Sequence, residues 1–143
     1  MYKRILCAID LEDMTSGRKV LARARALSEP GQTRLMLLHV LRPLPLLYAE
    51  YLPADFDAAE LKSAKQRMTD LMVEMGEVET GFTCTARRGT PYVEVLNEAA
   101  AVDADLIIIG SHQPSFASKL LGSNAASIVR HSTVDVLIAR NRS

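Results

Sequence analysis

Asp105-Leu106-Ile107-Ile108-Ile109-Gly110 is the stretch on which the fold turns. Four consecutive aliphatic residues, three of them β-branched, leave no polar face for solvent. A run of this kind is a strand covered on both sides, the pattern of a parallel sheet flanked by helices. Working outward, similar chemistry recurs at wide spacing. Residues 34–40 are a second near-continuous apolar run, and residues 2–9 are rich in strand formers up to Asp10. Residues 82–88 alternate apolar and polar, and residues 134–139 close the chain as a fifth strand.

Helical spacing fills the intervals. Val20, Leu21, Ala24 and Leu27 repeat at that period, and their helix stops before Pro30-Gly31. Asp57 with Glu60 resembles a helix start, and Leu61, Ala64, Met68, Leu71, Met72 and Met75 then make one apolar stripe, the methionines serving as core filler. Gly89-Thr90-Pro91 supplies a turn, an N-cap and a first helical residue for a helix carrying Val93, Leu96 and Ala100 inward. A last helix over residues 123–131 places Ala125, Ile128 and Val129 on one face. The order β-α-β-loop-α-β-α-β-α-β predicts a parallel sheet with helices on both faces. With 143 residues and no linker or repeat, residues 1–143 form one domain.

Residues 41–55 interrupt the alternation. Pro43, Pro45 and Pro53 forbid one regular element, yet Leu44, Leu46, Leu47, Tyr48, Tyr51 and Leu52 make the segment unusually apolar for a loop. Two readings stand: an arm packed over the core, or a lid or partner surface.

Composition narrows the function. Lysine plus arginine and aspartate plus glutamate each number 17, so the formal charge is zero. That balance speaks against a broad nucleic-acid face and against charge-driven membrane binding. No apolar run approaches the ~20 residues of a membrane span, and residues 5–9 are too short for the apolar region of a secretory signal. The expectation is a cytoplasmic domain. Two cysteines, Cys7 and Cys84, make no disulfide framework and read as strand filler; three scattered histidines (His39, His112, His131) show no zinc spacing.

In open α/β sheets, ligands bind beyond the carboxyl ends of the strands. Asp10 onward, residues 40–41, Gly89-Thr90 and residues 110–126 follow strand ends here. Gly110 lets the backbone turn sharply or lie close to a ligand, and Gly122-Ser123-Asn124 opens a helix twelve residues later. With Ser123 as N-cap, the first N–H groups form an ordinary capped terminus or, together with Gly110 and Asp10 in one crevice, a phosphate site. The combination favours phosphate or nucleotide binding. Asp10, Glu12 and Asp13 form a solvated turn and helix cap or hold a magnesium ion. His112 lies where it could touch phosphate or ribose, but no partner marks it as a catalytic base. G-x-x-x-x-G-K-[ST], G-x-G-x-x-G and G-x-S-x-G are all absent.

"KRILCAID", "LLHV" and "ADLIIIGSH…LLGSNAASIVRHSTVDVLIAR" together resemble the universal stress protein family over the whole chain. "SH-x-P" followed by "LLGSNAA-x-x-VRH" is most similar to the F-type branch of the small bacterial members. The resemblance implies a doubly wound five-stranded parallel sheet in order 3-2-1-4-5, reversing between strands 1 and 4 so that Asp10 and Gly110 border one crevice. That order puts the strands of Cys7 and Cys84 two steps apart, ~9.6 Å at ~4.8 Å per step, too far for a disulfide.

ATP-binding members carry G-2x-G-9x-G-[ST] after strand 4. Here the first glycine is Gly110 and the last pair Gly122-Ser123, but Gln113 occupies the middle position and eight residues, not nine, precede Gly122. The resemblance implies Ala8 and Asp10 at the base and ribose, and Val40 meeting adenine through its backbone. It places Gly110 at the ribose and first phosphates, and Ser123 and Asn124 at the terminal phosphates, with Gly122, His112 and Gln113 beside them. It also implies a homodimer through strand 5, at Val134, Val136 and Ile138, whose open edge needs covering.

Three function classes follow. The first is an ATP-binding dimeric regulatory protein of the stress response, ATP entering alone or with Mg2+, with slow or no hydrolysis and a regulatory protein partner. Lys119 in this reading is a phosphate contact or a solvated lysine. The second is a nucleotide-independent interaction module that uses residues 41–55. The third, an adenylate-cleaving enzyme, lacks a nucleophile–base pair in the sequence.

Overall fold

β1 (Arg4–Ala8) holds the centre because Ile5, Leu6 and Cys7 are apolar on both sides of the pleat and fully buried. A computed structural model, describing residues 1–76, 81–111 and 122–140, pairs it in parallel with β2 (Arg34–Leu41) and with β4 (Leu106–Gly110). β3 (Thr83–Arg88) lies beyond β2 and β5 (Asp135–Ala139) beyond β4. The sheet order is β3-β2-β1-β4-β5, as the resemblance implied.

The helices are α1 (Met14–Ala26), α2 (Leu46–Ala49), α3 (Phe56–Glu74), α4 (Pro91–Ala101) and α5 (Ser123–His131). Alternate strand residues point to opposite faces. Ile5, Cys7, Ile9, Leu37 and Ile108 meet Val20, Leu21 and Ala24 of α1 and Met68, Leu71 and Met72 of α3. Leu6, Met36, Leu38, Ile107 and Ile109 meet Val95 and Ala99 of α4 and Ile128 of α5 on the other side. No described helix is long and apolar enough to cross a membrane.

The two cysteines sit as the strand order requires. Cys7 aligns with Leu37, and Leu37 with Cys84, so a whole strand separates them and both are free thiols. Burial pushes the Cys7 thiol up to about 12. Cys84, half-buried on the edge strand, is raised by burial against the opposing Thr69 hydroxyl and Lys65 charge.

Several local readings need correction. α3 starts at Phe56 after Asp55, and neither Asp57 nor Glu60 caps it. Both carboxylates turn to Arg88 at the end of β3, each at 2.5 Å, because a guanidinium fork outcompetes an exposed helix end for them. On α4 the buried residues are Val95, Glu98 and Ala99, while Val93 and Ala100 face solvent. Glu98 can go inside because Arg87 of β3 donates to it at 2.8 Å. Burial alone would lower the Arg87 pKa, but its bonds to Glu98 and Glu94 win and hold it above its ordinary value. On α5, Val129 is half exposed, Ile128 is buried, and Gly122, not Ser123, is the N-cap. Residues 41–55 do not pack down as an arm: Leu46, Leu47, Tyr48 and Tyr51 are 92%, 81%, 62% and 77% exposed. A single helical turn preceded by Pro45 buries none of its residues against a neighbour.

Gly110 owes its identity to packing. A Cβ there would overlap Ser16 Oγ in the first turn of α1, which is 5% exposed. Gly110→Ala should therefore destabilise the fold by about 1 kcal/mol, the low end of overpacking costs because a hydroxyl can rotate away. In urea denaturation the double variant Ser16→Ala/Gly110→Ala should recover most of that loss. Additive losses would show that Ser16 is not what excludes the side chain.

Candidate functional site

The candidate site lies where the chain leaves two neighbouring strands toward opposite faces of the sheet. From β1 it turns to α1 on one face, and α5, the helix after β4, packs on the other, so the backbone parts between β1 and β4. Ile9 and Leu11, 3% and 2% exposed, anchor the first lip in the core and leave Asp10 exposed between them.

That lip is tightly bonded. Ile9 N–H donates to Leu38 O at 2.8 Å, and Asp13 N–H to Asp10 O at 3.0 Å. The Asp10 carboxylate accepts from Glu12 N–H at 2.9 Å, and that of Asp13 accepts from Ser16 N–H at 3.2 Å, capping α1. The acidic cluster is thus a turn and a cap. Among the described residues no group of three His, Cys, Asp or Glu is placed to hold a metal. From α3, Arg67 donates to Leu11 O at 2.9 Å. From β2, His39 Nδ1 lies 2.9 Å from Ile9 O and 3.3 Å from Leu11 N.

The far lip belongs to α5. Its first internal bond runs from Ala126 N to Gly122 O, so the Ser123, Asn124 and Ala125 amides have no acceptor within the helix. Among the described residues no side chain caps this terminus, no acidic residue lies in its first turn, and Arg130 and His131 occupy its last. The neighbouring termini are supplied. Asp13 caps α1, and Asn124 Oδ1 accepts from Tyr92 N–H of α4 at 3.2 Å, replacing Thr90, which makes no cap bond. Asn124 therefore ties the start of α5 to the start of α4 and keeps its amide N–H groups for another acceptor. The Tyr92 ring also stacks against His131, with centroids 6.2 Å apart.

Ala8 and Val40 are half-buried and pack on the α4/α5 side of the sheet, as does Tyr92. Gly110 ends β4 against α1. Val134, Val136 and Ile138 run along the β5 edge, half-buried against the same core. His112, Gln113 and Lys119 lie outside the described residues. The sequence reading missed His39, Arg67 and Tyr92 as builders of this edge. Only His39 left a signal: a histidine set inside the apolar run of residues 34–40.

Comparison with known proteins fits this architecture. The profile of the Universal stress protein family matches residues 1–140. Universal stress protein G of Salmonella typhimurium is 33% identical over 143 residues, covering 98% of this chain and 100% of the relative. Among solved structures, the protein MJ0577 superposes with a TM-score of 0.81 at 24% identity, covering 100% of this chain and 99% of that one. A universal stress protein family member from Arabidopsis thaliana, solved with AMP bound, gives 0.66 at 18% identity, covering 99% and 93%. The chain belongs to the universal stress protein family.

Proposed function

We propose that the protein is an ATP-binding regulatory homodimer of the stress response. The observation that carries this reading is the α5 N-terminus. Among the described residues it is uncapped by any side chain, it has no first-turn carboxylate, and it stands at the carboxyl end of the sheet, as does the exposed Asp10. Three amides without an acceptor inside the helix, and a helix dipole, attract phosphate. Ala8 and Asp10 would border base and ribose, with the carboxylate accepting hydroxyl hydrogen bonds. Val40 would meet adenine through its backbone, and Gly110 would flank the ribose and first phosphates. Gly122, Ser123 and Asn124 would hold the terminal phosphates, with His112 and Gln113 alongside. The AMP held by the Arabidopsis relative supports an adenine nucleotide as the ligand class.

The Asp10 and Asp13 carboxylates already serve backbone N–H groups, so Mg2+ would enter on the triphosphate and keep most of its water. Its charge would offset that of the phosphates. No described group is posed as a general base, so hydrolysis would be slow and occupancy itself the signal. The exposed Leu46, Leu47, Tyr48 and Tyr51 support a second role as the surface that engages a regulatory protein partner. Should nucleotide binding fail, that surface alone would make the protein an interaction module.

Calorimetry should detect ATP binding in the presence of magnesium. Gly122→Val is compatible with the backbone there, φ −61° and ψ 156°. It should weaken ATP about tenfold while sparing AMP, a loss of ~1.4 kcal/mol confined to the outer phosphates. No heat at millimolar ATP would refute the nucleotide reading. Sedimentation equilibrium should give twice the mass of one chain, and Val136→Lys should shift the protein toward monomer. A wild-type monomer at tens of micromolar would remove the homodimer.

A further inference from the structure

We infer that His39 is the positioning residue for Asp10, setting the direction of the nucleotide-facing carboxylate without touching the ligand; this rests on the nucleotide reading above. The Ile9 carbonyl and the Leu11 N–H belong to the two peptide groups that flank the Asp10 Cα. One ring atom, His39 Nδ1, lies within hydrogen-bond reach of both, at 2.9 and 3.3 Å. In one tautomer it donates to Ile9 O; in the other it accepts from Leu11 N–H. Either bond fixes one of the planes between which the Asp10 side chain projects.

The surroundings make this brace necessary. Asp10 is exposed, and among the described residues its carboxylate makes only a local bond, accepting from Glu12 N–H, so no distant described group aims it directly. Its direction is inherited from the backbone. Ile9 and Leu11 are locked by burial, and Arg67 holds the next carbonyl, Leu11 O. The step across Asp10 is held by the Asp13 N–H bond to Asp10 O and, from across the sheet, by His39, which is 7% exposed and rooted in the central part of the sheet. A histidine that continues the buried run Leu35, Met36, Leu37 and Leu38 of β2 is costly to bury unless its ring nitrogen is used.

The test compares His39→Leu, His39→Asn and His39→Gln. Asparagine places an amide near the Nδ1 position, able both to donate and to accept, whereas glutamine places it near Nε2. Without any nucleotide, amide exchange at Asp10 or Leu11, the N–H groups of the two peptides that His39 reaches, should speed about tenfold in the Leu and Gln variants, the worth of one hydrogen bond, and return close to wild type in Asn. ATP affinity by calorimetry should follow the same ranking, with circular dichroism showing all compared variants folded. If the Leu variant does not fold, the contrast between Asn and Gln carries the test. Equal exchange and equal affinity across the variants would overturn the proposal, as would a folded Asn variant that fails to rescue. If exchange follows the ranking but wild type takes no ATP, the brace stands and the nucleotide reading alone falls.

Discussion

The structure depends on one strand being paired on both edges. β1 bonds β2 and β4 in parallel, so it has no free edge and both its faces must be covered. The chain that leaves it covers one face with α1 and α3, and the second half of the chain covers the other with α4 and α5. The divergence this forces at the carboxyl end of β1 marks the candidate site, whose place follows from strand order.

Around this gap, the amides at three helix starts are treated differently. The α1 terminus is satisfied by Asp13 and the α4 terminus by Asn124, while α5 is supplied by no side chain among the described residues. Net charge is zero, so a long-range field does not select an anion. In the proposed reading, selection would rest instead on local, oriented donors, which act over a hydrogen-bond length and favour a ligand that fits. Gly110 shows how close the packing runs: its missing side chain makes room for Ser16, which seats the first turn of α1 on the end of β4.

Much of this was legible in the sequence. Runs such as residues 106–109 declare buried strands by themselves, and the alternation of strand and helix then fixes the class. Features that depend on pairing across the sheet were not legible. Glu98 looks like a solvated residue until Arg87 is brought beside it, and with the pair buried the inward stripe of α4 moves off Val93 and Ala100. Asp57 and Glu60 look like helix-capping residues until Arg88 claims them. Thr90 and Ser123 look like caps, yet Asn124 performs the first task and Gly122 stands in the second position. At the candidate site, Asp10 and the Gly122-Ser123-Asn124 start are nameable from sequence as its two lips, but His39 and Arg67 act through backbone groups far away in sequence.

The most direct measurement is an amide-resolved NMR titration of the full chain with ATP and magnesium. The account predicts that shifts concentrate at Asp10, Val40, Gly110, Ser123 and Asn124, with saturation at a common affinity. Shifts confined to residues 46–51, or none at these positions, would contradict it.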